Sequence, residues 1–283
     1  MTQSSLSTSI KELEAVLEAP LVDRTKRQVI LTPLGLDTVD RARRIIAETE
    51  ELARATRAAK EPLSGTLHMG VIPTIGPYLL PAALPELRRA HPRLQLYLTE
   101  DLTARLVEQL HAGKLDMVLL ALPYESGNVE RQVLFKDRFV VALQPSHPLA
   151  AGAQVKPELL QAEDVLLLKD GHCLRDHALA ACRLADRRRT VGFEATSLLT
   201  LVQMVDNGLG ITLLPELAVE AGILRGTGLI TRPLAGNDTA RTIGLIWRRG
   251  TGRRDEFLLL ARELKALAAG LAKNPIAAAP SAS

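Results

Sequence analysis

Strand-like and helical segments alternate along the chain after residue 62. Thr66 to Ile72, Leu94 to Leu98 and Leu115 to Leu122 have strand character, and Gly76 to Ala90 and Leu102 to Ala112 have helical patterns between them. This strand–helix–strand–helix–strand order predicts a mostly parallel sheet with helices on both faces. The alternation restricts the fold to the α/β class.

A second alternating unit follows the first. Phe135 to Gln144 has strand character and leads into this unit, and Thr242 to Trp247 with the helical segment Arg253 to Leu271 returns to the first. Two α/β halves joined by crossovers are the architecture of periplasmic binding proteins, whose ligands lie in the cleft. The predicted elements of the second unit are Val165 to Leu168, a helix that contains both cysteines, Arg189 to Phe193, Leu198 to Asn207 and Ile211 to Leu214.

The cysteine-containing helix carries the main candidate for chemistry. Apolar residues recur at helical spacing after Asp170-Gly171, a pair suited to a helix cap, so Cys173 is predicted to lie in the first turn. A helix N-terminus and the neighbouring His172 and Arg175 stabilise a thiolate, the reactive form of cysteine. Cys182, among alanines and leucines, is predicted to be a protonated thiol. This arrangement is typical of a sensor cysteine with a resolving partner.

Helix geometry constrains any bond between the two cysteines. Nine residues of α-helix rise about 13.5 Å and leave the two side chains on opposite faces, whereas a disulfide needs Cα atoms within about 7 Å. A bond would therefore require the segment to unwind. Two other interpretations stay open: both cysteines are buried apolar fillers, or Cys173 and His177, with His172 and Cys182 nearby, bind zinc or haem iron, although their spacing matches no familiar zinc motif.

The N-terminal segment combines an amphipathic helix with a basic turn. Ser4 to Glu18 places apolar residues on one face and small polar residues on the other. Asp23 to Thr32 is a basic turn that leads into a strand-like run, as in a small hairpin. A helix followed by a basic hairpin is the end of a winged helix-turn-helix, although a polar helix face is also compatible with simple solvation.

Leu36 to Lys60 is a long helical pattern without an internal glycine or proline. Residues with heptad-like spacing of three and four form a seam of modest hydrophobicity, which predicts a dimerisation helix. A single helix packed on its own domain is the alternative. The seam comprises Val39, Ala42, Ile46, Thr49, Ala53 and Thr56.

Several motifs resemble one known family. Residues 171–176 read Gly-His-Cys-Leu-Arg-Asp and Cys182 follows; residues 195–198 read Ala-Thr-Ser-Leu, and residues 210–215 read Gly-Ile-Thr-Leu-Leu-Pro. The N-terminal pattern of Gln3-Ser4-Ser5-Leu6-Ser7 with Pro20-Leu21 and Leu31-Thr32 points the same way. Together these features resemble the LysR-type transcriptional regulators, in particular the peroxide-sensing members.

The chain departs from the family pattern in three respects. Glu18 stands where the family usually has glycine, and Val22 where it usually has phenylalanine. The resemblance also begins at the recognition helix, so the two preceding helices are missing from the sequence given. Because one helix cannot close a three-helix core, we expect either a start upstream of Met1 or poor folding of this end with weak DNA binding.

The resemblance implies an α/β fold with a two-subdomain regulatory domain like a periplasmic binding protein, preceded by a partial winged helix-turn-helix and a long linker helix. The predicted boundaries are 1–34 for the DNA-binding part, 35–62 for the linker and 63–283 for the regulatory domain. Subdomain I comprises about 63–138 and 240–272, subdomain II about 139–239, and 274–283 form an Ala/Pro/Ser-rich disordered tail.

Site residues follow from the same resemblance. Peroxide would oxidise Cys173, and Cys182 would then form a reversible disulfide with it. Thr74, Thr103, His172 and Arg175 stand at the positions that hold peroxide in such proteins. The residues predicted to contact DNA are Gln3, Ser5, Ser7, Thr8, Lys11, Arg24, Lys26 and Arg27.

The expected partners are promoter DNA, further copies of the chain in a dimer or tetramer, RNA polymerase and a glutaredoxin- or thioredoxin-type reductant. No cofactor, metal, membrane partner or enzymatic turnover is expected, and the start lacks a signal peptide, which favours the cytoplasm. Two alternatives stay open. One is a regulator or α/β binding protein that responds to an organic effector in the cleft; the other is a thiol peroxidase, which the basic N-terminal elements disfavour.

Overall fold

The computed structural model describes residues 2–24, 28–182, 195–236 and 239–271. The N-terminal unit is helix α1 (Gln3–Leu17) followed by the antiparallel pair β1 (Val22–Arg24) and β2 (Val29–Leu31), which confirms the predicted helix and hairpin. Helix α1 ends at Glu18, whose φ of 51° lies in the left-handed region that favours glycine. This conformation explains why glycine suits the position.

The linker helix α2 (Pro33–Lys60) begins three residues earlier than the periodicity predicts. Thr32 precedes it, and its hydroxyl accepts a hydrogen bond from the Gly35 amide at 2.9 Å. A threonine cap followed by proline is a strong start signal, since proline has the φ of a first helical turn and no amide hydrogen to leave unpaired. The threonine cap therefore predicts the first residue of the helix more accurately than the apolar spacing does.

The first α/β unit confirms the predicted alternation. Its sheet runs in the order β4, β3, β5, and all three strands are parallel. Strand β5 is buried along its whole length, as expected for a strand with helices on both faces. The elements are β3 (Thr66–Val71), α3 (Gly76–Ala90), β4 (Gln95–Glu100), α4 (Thr103–His111) and β5 (Met117–Leu122).

Two crossing strands make the complete sheet mixed rather than mostly parallel, which corrects the prediction. The strand β6 (Val129–Leu143) and the strand β10 (Ala240–Arg248) are antiparallel to each other, and β10 is antiparallel to β5. Strand β6 is a single strand of 15 residues that begins before the predicted Phe135. Its first part pairs with β10, and from Phe139 onward it pairs with the second unit.

The second unit contains a parallel pair, β7 and β8, with β8 and β9 both antiparallel to β6. The chain returns from it through β10 to the C-terminal helix. The predicted strand from Arg189 to Phe193 lies outside the described residues. The elements are β7 (Val165–Leu166), α5 (Cys173–Cys182), α6 (Leu198–Asp206), β8 (Ile211–Pro215), α7 (Glu216–Glu220), β9 (Ile230–Pro233) and α8 (Arg254–Leu271).

Each unit has its own hydrophobic core. The first core surrounds β5 and includes Leu119 and Trp247, which packs against Phe257 with 5.7 Å between the ring centroids. The second core surrounds the second part of β6. Two cores linked by shared strands fit the predicted subdomain division, whose boundaries stay a prediction. None of the described helices is long and apolar enough to cross a membrane.

We predict that Leu119→Ala destabilises the protein by about 2–5 kcal/mol, because Leu119 is fully buried in a central strand and the cavity cannot collapse. Urea unfolding measures the effect. The matched control is Leu199→Ala on α6, a leucine that is 57% exposed, which is expected to change stability by less than about 0.5 kcal/mol. Equal effects from the two substitutions would contradict this assignment of the core.

Candidate redox site

Three helices begin around one small cavity. Cys173 is the first residue of α5, Thr103 is the first residue of α4, and Thr74 lies two residues before α3. Helix N-termini carry partial positive charge and unpaired amide groups, so three of them favour an anion placed between them. The cavity encloses ≈ 10 Å³ and is lined by Ile72, Pro73, Thr74, Leu102, Thr103, Gly171, His172 and Cys173.

The structure thus brings together Cys173, Thr74, Thr103 and His172, four of the predicted redox residues. All four are buried, and Cys173 is a free thiol. Because Cys173 is buried, its position taken alone also fits the alternative interpretation, a cysteine that only fills apolar space. The polar lining on three sides distinguishes its position from a purely apolar core site.

The two threonine hydroxyls differ in their partners. Thr103 Oγ1 is buried and has no hydrogen-bond partner among the described residues, so its hydroxyl is available to a small polar molecule in the cavity. Thr74 Oγ1 accepts a hydrogen bond from Arg241 Nη1 at 2.7 Å, and the Thr74 carbonyl accepts one from Nη2 at 2.8 Å. Because the guanidinium only donates, the Thr74 hydroxyl hydrogen stays free to be donated.

Arg241 is the functional candidate that sequence reasoning missed. It is 1% exposed, and its guanidinium pairs with Asp137 Oδ2, at 3.0 Å from Nε and 2.8 Å from Nη2. The other carboxylate oxygen of Asp137 accepts a hydrogen bond from the Leu217 amide at 3.0 Å. The only local signal is an arginine near the start of a strand whose residues 243–247 are apolar or glycine.

The two basic residues next to Cys173 are placed differently, since His172 lines the cavity and Arg175 does not. Burial lowers the pKa of His172 below 6.5, so the imidazole is neutral at neutral pH and does not supply a positive charge. Arg175 is not among the residues that line the cavity, and its Nε pairs with Asp170 at 2.8 Å. Asp170 thus partly neutralises the predicted cation Arg175, and the buried cation Arg241 reaches the cavity lining only through its hydrogen bonds to Thr74.

His177, predicted as one possible metal ligand, lies one helical turn beyond Cys173. Burial and the positive charge of Arg241 lower its pKa, and the charge of Asp176 opposes this shift. Among the described residues, no group of three or more His, Cys, Asp or Glu side chains is placed to hold a metal ion. The Cys182 side chain lies outside the described part of the chain, so the four-residue metal hypothesis is not tested.

The predicted DNA-contacting residues of α1 lie at the surface. Gln3, Ser5, Thr8 and Lys11 are exposed and Ser7 is half-buried. The Ser5 hydroxyl donates to the Thr2 carbonyl, and the Thr8 hydroxyl donates to the Ser4 carbonyl, which leaves both oxygens as acceptors. The Arg24 side chain, Lys26 and Arg27 lie outside the described residues. The apolar face of α1 is not packed: Leu6, Leu13 and Leu17 are each more than 40% exposed.

Comparison with known proteins places the chain in a family. Residues 1–36 match the family model "Bacterial regulatory helix-turn-helix protein, lysR family", and residues 60–269 match "LysR substrate binding domain". The chain is 41% identical to the DNA-binding transcriptional dual regulator OxyR of Escherichia coli over 266 residues, which cover 94% of this chain and 87% of OxyR. It is 39% identical to the HTH-type transcriptional regulator EstR of Acinetobacter baylyi over 272 residues, which cover 96% and 90%.

Solved structures of OxyR proteins are also similar to this chain. A full-length OxyR variant from Pseudomonas aeruginosa is 33% identical, with a TM-score of 0.77 over 94% of this chain and 86% of that one. A hydrogen peroxide-bound OxyR variant from Corynebacterium glutamicum is 32% identical, with a TM-score of 0.73 over 100% of this chain and 90% of that one. The chain belongs to the LysR family of bacterial transcriptional regulators and, within that family, to the OxyR group.

Proposed function

We propose that this chain is a DNA-binding transcriptional regulator that senses hydrogen peroxide through a reversible Cys173–Cys182 disulfide and controls genes of oxidative-stress defence. The lining of the cavity beside Cys173 carries the proposal, because it places a buried thiol next to two threonine hydroxyls, and its ≈ 10 Å³ leaves room for little more than a water-sized molecule. Organic ligands occupy pockets of roughly 300–1,000 Å³. The similarity to OxyR proteins, one of them in a peroxide-bound structure, supports the same signal.

In the first step, the Cys173 thiolate attacks one oxygen of hydrogen peroxide. The S–O bond forms, the O–O bond breaks, and the departing hydroxide takes up a proton to leave as water, so that Cys173 becomes a sulfenic acid. The developing negative charge on the departing oxygen is stabilised by the hydroxyls of Thr74 and Thr103. The N-termini of α3, α4 and α5 add to this stabilisation of the departing oxygen, because each carries partial positive charge and unpaired amide groups.

Arg241 acts in this step as a positioning residue. Its two hydrogen bonds to Thr74 hold the hydroxyl as an acceptor towards the guanidinium and therefore as a donor towards the cavity. His172, neutral at neutral pH, offers one donor and one acceptor nitrogen for the transferred proton. These roles need no positive charge in direct contact with the sulfur.

In the second step, the Cys182 thiol attacks the Cys173 sulfenic acid, the disulfide forms and water leaves. The sum of both steps converts two thiols and one peroxide to one disulfide and two waters. Helix α5 runs without a break from Cys173 to Cys182, a rise of about 13.5 Å, so the disulfide requires the helix to unwind. Chemistry and conformational change are therefore obligatorily coupled.

The output of this change is a different arrangement of the DNA-binding elements. Helix α1 would lie in the major groove with Gln3 and Lys11 as donors, and the hairpin would lie along phosphates. The linker helix leaves Ile45, Ile46 and Leu52 exposed, which suits pairing with a second copy in a dimer or tetramer. RNA polymerase and a dithiol reductant of the glutaredoxin or thioredoxin class complete the expected partners, and the cytoplasm is the expected compartment.

A second candidate function is a regulator that responds to an organic effector. A groove of ≈ 320 Å³ between α3 and β4 is large enough for such a molecule, but it lies at the outer edge of the sheet, away from Cys173. Under this function the two cysteines could be replaced without loss of the response.

The first prediction from the proposed function concerns the disulfide. Titration of the reduced protein with about one equivalent of hydrogen peroxide is expected to remove both thiols and yield a Cys173–Cys182 linkage, detected by thiol counting and mass spectrometry. Cys182→Ser should stop at the sulfenic acid, and Cys173→Ser should keep its remaining thiol. If both thiols survive a large excess of peroxide, the sensor function is wrong and the organic-effector candidate takes its place.

The second prediction separates chemistry from stability at Thr103. Thr103→Val removes a buried hydroxyl without a partner, so stability should stay within about 1 kcal/mol or increase, while the rate of Cys173 oxidation falls about a hundredfold. Stopped-flow thiol loss and thermal unfolding measure the two effects. The control Thr212→Val removes the buried hydroxyl that bonds to the Leu166 carbonyl at 2.7 Å, and should lower stability without slowing oxidation. An unchanged oxidation rate in Thr103→Val would refute this role.

The third prediction concerns DNA. Lys11→Ala is expected to weaken binding to a duplex of mixed sequence and to reduce the slope of log affinity against log salt by about 0.9, since one phosphate contact is lost. Fluorescence anisotropy at several salt concentrations measures the slope. Lys114→Ala, an exposed lysine of the regulatory domain, is the matched control. Equal slopes for the two variants would argue against the DNA contact of α1.

A further inference from the structure

One face of the linker helix α2 lies against the regulatory domain of the same chain. Ala47, Glu51, Arg54, Ala55 and Ala58 share this face, because Glu51 follows Ala47 by four residues, Arg54 and Ala55 follow Glu51 by three and four, and Ala58 follows Arg54 by four. Ala58 is buried, and the residues before it contact the turn between α4 and β5 and the turn between β10 and α8. The exposed apolar residues of α2, Ile45 and Leu52 among them, lie on the opposite side.

An ion pair joins the middle of this face to the end of β10. Glu51 Oε2 lies 2.8 Å from Arg248 Nη2, and the two side chains are 14% and 21% exposed. Arg248 Nη1 also donates to the carbonyls of Leu110 and Leu115, which fixes the guanidinium at the α4–β5 turn. Burial alone would raise the pKa of Glu51, but hydrogen bonds from Thr251 and Arg248 and nearby positive charge outweigh it, so this pKa lies below 4.5.

A second ion pair reaches the buried charges at the start of β5. Arg54 Nη2 lies 3.7 Å from Asp116 Oδ1, and Asp116 is 3% exposed. Asp116 also pairs with Arg253 Nη1 at 3.2 Å, and Arg253 pairs in turn with Glu256 at 2.6 Å. Glu256 accepts a hydrogen bond from the Leu63 amide just after the linker helix. The C-terminal half of α2 is therefore held at two points and at its exit.

Small residues let the helix come this close. A Cβ atom added to Gly252 would lie 2.9 Å from the Ala55 Cβ, and one added to Gly113 would lie 2.4 Å from the Ala47 Cβ. Gly113 also has a φ of 74°, whereas the backbone of Gly252 is open to an ordinary residue. Gly252 is thus a position where one methyl group would separate the two surfaces without straining the backbone.

Strand β10 connects this contact with the redox site. It begins next to Arg241, whose guanidinium holds Thr74 at the cavity, and ends at Arg248, whose guanidinium holds Glu51. The seven residue-to-residue steps from Arg241 to Arg248 span about 23 Å of strand. β10 is hydrogen bonded on both sides, by β5 and β6, so both of its ends belong to one continuous sheet.

We propose that the pairs Glu51–Arg248 and Arg54–Asp116 form an ionic latch that holds the linker helix on the regulatory domain in the reduced protein, and that oxidation at Cys173 releases it through β10. The second part rests on the proposed function, since it needs peroxide to remodel α5 beside Arg241. The presence of the latch in the reduced protein does not rest on the proposed function. Its release would free α2, and with it the DNA-binding elements, to adopt a second orientation.

The test is amide hydrogen exchange of residues 47–60 in the full chain, before and after peroxide. In the reduced protein, Glu51→Gln and Gly252→Ala should each speed this exchange by at least about tenfold, one by weakening the charged hydrogen bond and the other by separating the surfaces. Peroxide should speed exchange in the wild type but add little in either variant. Thiol oxidation itself should proceed at the wild-type rate in both.

Two matched controls show whether faster exchange is specific to the latch. Glu48→Gln changes an exposed glutamate of the same helix, and Gly270→Ala adds a methyl group in open space on α8. Both should leave exchange unchanged. Wild-type exchange rates in both Glu51→Gln and Gly252→Ala would overturn the latch, and a wild type that forms its disulfide without a change at residues 47–60 would overturn its release by oxidation. A wild type that forms no disulfide contradicts the proposed function, while the reduced-state comparison still decides the latch.

Discussion

The buried contact between Arg241 and Asp137 is the interaction on which the arrangement of the regulatory domain depends. It joins β6 to β10, reaches Thr74 before α3 and, through Asp137, meets the first turn of α7. An ion pair removed from water contributes little net stability, but the loss of one partner costs about 3–5 kcal/mol, because a charge stays buried without compensation. The pair therefore fixes the positions of its neighbours more than it adds stability. Through Arg241 it fixes the Thr74 hydroxyl on the wall of the redox cavity.

The alternation of elements was predictable because it depends on local patterns. The continuous apolar run of β5 and the cap before α5 identify a buried strand and a helix that begins at Cys173, as the structure confirms. The Arg241–Asp137 pair was not predictable in this way. The two residues are 104 positions apart, and each stands in a strand that carries other charged residues, so neither differs in sequence from an ordinary solvent-facing position. Only the pairing of β6 with β10 brings them together.

The linker helix shows a second limit of periodicity. Its length was predicted well, but the predicted seam from Val39 to Thr56 differs from the face that packs on the regulatory domain. That face depends on Ala47 and Ala55 for closeness and on Glu51 and Arg54 for charge. Such residues are also typical of an exposed helix surface, so the sequence pattern does not distinguish a packed face of this kind from a solvent-exposed one. The glycines that receive them, Gly113 and Gly252, lie in distant turns.

The shared strands also determine what kind of motion the two halves of the regulatory domain allow. The predicted boundary between the two halves lies at Phe139 and Thr239, and the Phe139 amide donates to the Thr239 carbonyl at 2.9 Å. A junction made of two adjacent, hydrogen-bonded segments permits twist and shallow bending between the two halves. It resists sliding and separation of the halves, because either motion would break the backbone hydrogen bonds. A chemical event in one half would thus reach the other as a rotation.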